Sequence, residues 1–249
     1  MIRPAFRFLT LMTATMIGPA FGGQDPPTSS YEARTIGGFK VLVGKALSEH
    51  PDEAAAGLKE VERQIEEVNR VMPAGPLEAL RRVTIWVDWD VDPAGGCVFH
   101  PSREWLVEHG RNPDKAGCVE VSNLRHFVEW SRDVQPCMIL HELAHAYDFR
   151  VLGAEDRRIS AAYRHAMGKK LYDSVEYGPG GRKRAYAATN EREYFAEITE
   201  AYFSRNDFYP FVRDELKAHD PEGFRVLEAV WGRPKAPGRA PAASAKGRR

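Results

Sequence analysis

The hydrophobic pattern changes period along the chain, from short alternating stretches in the first half to helical spacing through most of the second. Leu58, Val61, Ile65, Val68 and Met72 recur three and four residues apart with charges between them. That spacing predicts an amphipathic helix over 51–71, stopped by Pro73. Residues 35–43 and 83–87 carry the β-branched and aromatic character of strands, with Gly37 and Gly38 marking a bulge or edge position in the first. A further short strand is expected at 118–121. The Gly- and Pro-rich stretch 93–117 reads as loop with one short helix near 102–109.

Beyond Asn123 the periodic segments are helical. One covers 126–132. Asp133 is placed to cap the next, with Pro136 in its first turn and Gly153 at its end, and another spans 156–172. After a Gly-rich turn at 178–181, Thr189 or Asn190 caps a helix running to Phe203, and two helices at 210–219 and 221–231 follow. Strands mixed with helices early and helices alone later predict an α+β fold. No internal repeat is visible.

Composition adds the boundaries. The 249 residues, 43% hydrophobic and 28% charged, suit one domain or two small lobes sharing a cleft. Arg3 and Arg7 precede the apolar run 8–17, and Ala20 and Gly22 supply small residues for cleavage, so 1–23 reads as a secretory signal and the protein as exported, periplasmic or secreted. The run is too short for a lasting anchor, so no stable membrane span is expected after cleavage. Residues 24–34 read as a linker, 35–231 as the folded body, and 232–249 as a disordered tail of Pro, Ala, Gly and basic residues.

The 35 basic and 35 acidic residues balance, but eight of the basic ones lie in 1–23 and 232–249, where there is no acid. The body therefore holds 27 basic against 35 acidic residues, a net charge of −8. That argues against the basic face a nucleic-acid partner needs. Cys97 and Cys118 flank one loop-rich stretch and are a candidate disulfide, while Cys137 in an apolar run reads as a small buried hydrophobe.

The chemistry concentrates at His141-Glu142-Leu143-Ala144-His145. Residues four apart share a helix face, so both imidazoles can hold one Zn²⁺ while Glu142 sits beside it as a general base. Chance alone produces this pattern on the order of a few times in a hundred such chains, so a third ligand has to support it. Asp148 and Val151 stand where a metzincin has its glycine and third histidine, which excludes that class. Glu193 and Glu197, four apart on an aromatic-rich helix, offer carboxylates instead: one to bind zinc, the other to accept the free ring N–H of a ligand histidine. Asp148 is either a ligand-orienting acid or a surface one.

The stretches HELAHAYD (141–148) and Thr189-Asn190-Glu191-Arg192-Glu193-Tyr194-Phe195-Ala196-Glu197, with Tyr186 before them, resemble the catalytic domain of anthrax lethal factor and the related Pro-Pro endopeptidases. The resemblance covers roughly 135–205. It implies a zincin-like gluzincin metallopeptidase with His141, His145 and Glu193 as zinc ligands and Glu142 polarising the attacking water. It further implies that the Tyr186 hydroxyl stabilises the oxyanion and that Glu197 is the supporting carboxylate. The expected substrate is a peptide or protein, paired by main-chain hydrogen bonds to the strand at 118–121. Two other readings stand beside it: a non-catalytic zinc-containing binding or scaffold protein, and a zinc hydrolase acting on a non-peptide envelope amide. Oligomeric state leaves no mark on the sequence.

Overall fold

The computed structural model describes residues 25–153 and 155–235, so the signal read at 1–23 and most of the basic tail lie outside the described residues. The elements, in chain order, are β1 (Tyr31–Ile36), β2 (Phe39–Gly44), α1 (Pro51–Val71), α2 (Ala74–Leu80), β3 (Ile85–Val87), β4 (Cys97–Phe99), α3 (Arg103–Glu108), β5 (Val119–Val121), α4 (Leu124–Asp133), α5 (Met138–Tyr147), α6 (Arg157–Gly168), β6 (Val175–Glu176), β7 (Arg182–Lys183), α7 (Glu191–Phe203), α8 (Arg213–His219) and α9 (Pro221–Trp231). The fold is α+β: a small mixed sheet followed by a helical C-terminal lobe. Among the described residues no helix is long and apolar enough to cross a membrane.

The sheet runs β1-β2-β3-β5-β4. β2, β3 and β5 are parallel, and the two outer strands are antiparallel to their neighbours. Side chains alternate across it. Val41, Val43, Ile85, Val87, Val119 and Val121 enter the main core, shared with α1, α5 and α7, while Tyr31, Leu42 and Trp86 form a small cluster. Glu120 is fully buried in the middle of β5.

Several expectations change at this level. The strand expected at 35–43 is a hairpin, because Gly37 and Gly38 both take positive φ and turn the chain so that Ile36 pairs with Phe39. Of the linker expected at 24–34, residues 25–34 are folded onto the body. β1 begins at Tyr31, and buried Asp25 pairs with Arg111 Nε at 2.9 Å and Lys115 Nζ at 3.2 Å. At the other end, Lys235 donates its backbone N–H to Val71 and its ammonium to Asn69, so 232–235 pack on the end of α1.

Asp133 ends α4 rather than capping α5, since Pro136 disfavours helix at Gln135 and the break falls there. Gly153 does close the helical run at φ 85°, after a π-helical turn over Asp148–Leu152. Nor is there a Cys97–Cys118 disulfide; all three cysteines are free. Cys97 pairs in register with Val121, which leaves Cys118 three residues along the ladder, about 10 Å away at the rise of a strand. A disulfide needs Cα atoms within about 7 Å.

Candidate metal centre

α5 is apolar almost end to end, and Ile139, Leu143, Ala144 and Ala146 are wholly buried. Its polar residues are drawn inward with it. His141 and His145, one turn apart, face α7, whose start is fixed by Asn190: its side chain accepts from the backbone N–H groups of Arg192 and Glu193. Every residue from Glu193 to Phe203 is buried, and Glu193, Glu197 and Glu200 recur at i, i+4 and i+7 on one stripe.

Glu193 Oε2 lies 3.1 Å from His141 Nε2 and 3.2 Å from His145 Nε2, and the three ligand atoms fall within 4.8 Å of one another. Two imidazole nitrogens and a carboxylate oxygen are the donor set of a catalytic zinc site. His145 Nε2 is buried without a hydrogen bond to any neighbour, as is the Tyr186 hydroxyl. Orphaned acceptors and donors of this kind are costly unless a further group completes them, and here a metal ion fits both the chemistry and the convergence of the atoms. The group is a candidate metal-binding cluster consistent with zinc. The buried His-Glu-x-x-His helix is likewise consistent with a generic zincin-type metallopeptidase.

Burial alone would raise the Glu193 carboxyl, but the imidazoles of His141 and His145 outweigh it and hold the group far below its ordinary value. Burial would push His141 down, yet its contacts to Glu193 and Glu200 hold it well above the usual imidazole range. Protons and a metal therefore compete for the same atoms.

The carboxylate oxygen nearest His141 Nδ1 belongs to Glu200 rather than to Glu197. Glu200 Oε1 is 2.6 Å from His141 Nδ1, while Glu197 Oε1 stands off at 3.7 Å. Gln135 donates to the same Glu200 oxygen at 3.0 Å. Burial, with Asp207 and Glu200 close by, raises Glu197 well above its ordinary value. The i+7 spacing from Glu193 was the available signal for Glu200.

Glu142 is 6% exposed, and its Oε2 accepts the backbone N–H of Phe99 at 2.8 Å. Burial raises its pKa against the opposing pull of the two histidines, which moves a carboxylate toward the range where it serves as a general base. Tyr186 begins a short 3-10 turn just before α7, with its ring 6.3 Å from that of His141. Burial and the nearby Glu193 raise its hydroxyl pKa, keeping it a donor. Tyr177 packs on Phe208, with ring centroids 4.7 Å apart. Asp148 is buried, not a surface acid; burial raises its carboxyl in the neighbourhood of Arg192 and His145.

The exposed strand edge also differs from expectation. β5, expected there, is enclosed between β3 and β4, and the terminal strand is β4. Even-numbered β4 positions face β5, as the bonds from His100 to Cys118 and from Ser122 to Gly96 show. The N–H and C=O groups of Cys97 and Phe99 accordingly point away from it. Burial and the charge of Glu142 hold the Cys97 thiol protonated beside this edge. A separate cavity of about 550 Å³, lined by Arg213, Lys217, Phe224 and Glu228 among others, includes none of these residues.

No family model, curated protein or solved structure matches this chain.

Proposed function

We propose that this chain is an exported zinc-dependent endopeptidase. The observation that carries the reading is the convergence of His141 Nε2, His145 Nε2 and Glu193 Oε2 in one buried cluster. Glu142 and the unpartnered Tyr186 hydroxyl sit beside it. The resemblance of 141–148 and 186–197 to the lethal factor and Pro-Pro endopeptidase group supports the same roles.

When bound, zinc acts as a Lewis acid toward water and a carbonyl oxygen. His141 and His145 hold it from α5 and Glu193 from α7, with Glu200 orienting His141 through Nδ1. Glu142 takes the proton of the attacking water and hands it to the leaving amine. The Tyr186 hydroxyl donates to the oxygen that gains negative charge. An extended peptide pairs with the outward N–H and C=O of Cys97 and the C=O of Phe99, the Phe99 N–H being engaged by Glu142, which brings its backbone alongside Glu142. Export rests on the leader read at 1–23.

The test is metal content and hydrolysis together. Wild-type protein should hold one zinc per chain and cleave a peptide library. Glu193→Ala should lose most of the zinc, and Glu142→Gln should keep zinc and lose turnover. Zinc without hydrolysis of any peptide would favour the non-catalytic reading, and absence of zinc would remove the metallopeptidase reading altogether.

A further inference from the structure

Phe149 and Val151 are, with Val107, the large apolar side chains left exposed among the described residues; Phe149 is 44% exposed. Phe149 follows His145 by four residues, on the π-helical turn that continues α5. The turn is anchored: Arg150 donates to the carbonyl of Arg82 at 3.1 Å, and Gly153 closes it in the left-handed conformation. Phe149 is therefore held outward on a fixed segment. Its ring centroid lies 5.8 Å from that of Phe99, the last residue of β4, and the Phe99 N–H is the group that holds Glu142. One aromatic pair thus joins the open strand edge to the helix that carries the metal ligands, next to the general base.

Beyond its contact with Phe99, Phe149 keeps an uncovered apolar face at this point, 44% of the residue being exposed. A peptide strand laid along β4 can cover it, because its alternate side chains fall on the side of the sheet where Phe149 stands against the largely buried Phe99. We infer that Phe99 and Phe149 form a substrate subsite that selects a large apolar side chain, of the Phe, Leu or Met class, close to the scissile bond. The inference rests on the peptidase reading and adds its specificity. The main chain is held by groups common to every peptide, so β4 pairing alone confers no preference; discrimination falls to the side chain meeting this pair.

The experiment uses the zinc-loaded full chain and a peptide library varied on both sides of the cleavage point, with Phe149→Ala and Phe149→Leu. Wild type should prefer a large apolar residue at one fixed position within about two residues of the cut, since filling an apolar subsite is worth roughly 10–200-fold. Phe149→Ala should lower kcat/KM for those peptides by about tenfold or more, mainly through KM. The loss in Phe149→Ala should be much smaller for peptides with Ala at that position, and Phe149→Leu should keep most of the preference. Zinc content and thermal stability should not change in either variant, the side chain being exposed. Cleavage without an apolar preference, or an unaltered preference in Phe149→Ala, overturns the subsite while leaving the peptidase reading intact. Zinc-loaded wild type that cleaves no peptide overturns both.

Discussion

Glu200 Oε1 lies 2.6 Å from Nδ1 of His141, on the side of the ring away from the metal cluster. That bond sets which nitrogen of His141 carries a proton and leaves Nε2 directed at Glu193. Glu200→Gln should weaken zinc binding by about 10–100-fold, the usual cost of losing such a partner. Glu197→Gln should leave zinc affinity nearly unchanged, because that carboxyl stands off at 3.7 Å from Nδ1. Competition titrations against a chelator of known affinity distinguish the two. A larger loss in Glu197→Gln would return the supporting role to that residue.

Tyr186→Phe should move activity and stability in opposite directions. Its hydroxyl is buried without a partner, so removing it relieves a desolvation cost rather than breaking a bond. Tyr186→Phe should reduce kcat by about 10²–10³-fold, as loss of one oxyanion donor does, with zinc content unchanged. Its melting temperature should be equal to or above that of wild type. A clear drop in stability would mean the hydroxyl is tied into the fold.

The pH dependence of folding should show the buried ion cluster outside the candidate metal site. Lys115, fully buried, reaches Asp25, Asp88 and Glu120, and Arg111 and His100 also engage Glu120. Burial raises the Asp88 carboxyl from 3.8 to about 6, against the pull of Lys115. The native state therefore keeps that proton where the unfolded chain has lost it. Asp88 favours folding fully below pH 3.8, and its contribution is lost as pH rises through 6, a change of about 3 kcal/mol. Glu120 runs the other way. Burial would raise it, but His100 and Lys115 outweigh that and hold it low, so its contribution is present above the ordinary value near 4.5 and lost as pH falls below it. Denaturant unfolding at pH 4 to 7 should show a shallower fall with rising pH in Asp88→Asn than in wild type. Parallel curves would remove Asp88 as the titrating group.

Two glycines should respond to alanine with opposite signs. A Cβ on Gly57 would stand 2.4 Å from Leu124 Cγ, where α1 meets α4. Leu124 is buried and cannot give way, so an overpacking cost of about 1–3 kcal/mol exceeds the helix-propensity gain of about 1 kcal/mol. Gly75, in α2, has nothing within 4 Å of its Cβ position. Thermal melts should show Gly57→Ala below wild type and Gly75→Ala above it; a stabilised Gly57→Ala would mean the α1–α4 contact is looser than described.

What the chain determines by itself is what its own period dictates. The four-residue step that puts His141 and His145 on one face, the Asn190 cap that starts α7 and the 51–71 helix are consequences of helical geometry over a few turns. They were legible without any knowledge of the rest of the molecule. The choice between Glu197 and Glu200 was not, because both lie on the inward stripe and only the packing of α7 on α5 decides which oxygen reaches Nδ1. The place of β4 at the sheet edge and the separation of Cys97 from Cys118 depend on strand order and register. The burial of Asp25 against Arg111 and Lys115 depends on what the far side of the sheet must cover. Those are settled between segments distant in sequence, by which surfaces can be buried together with every charge paired, and no local pattern encodes that outcome.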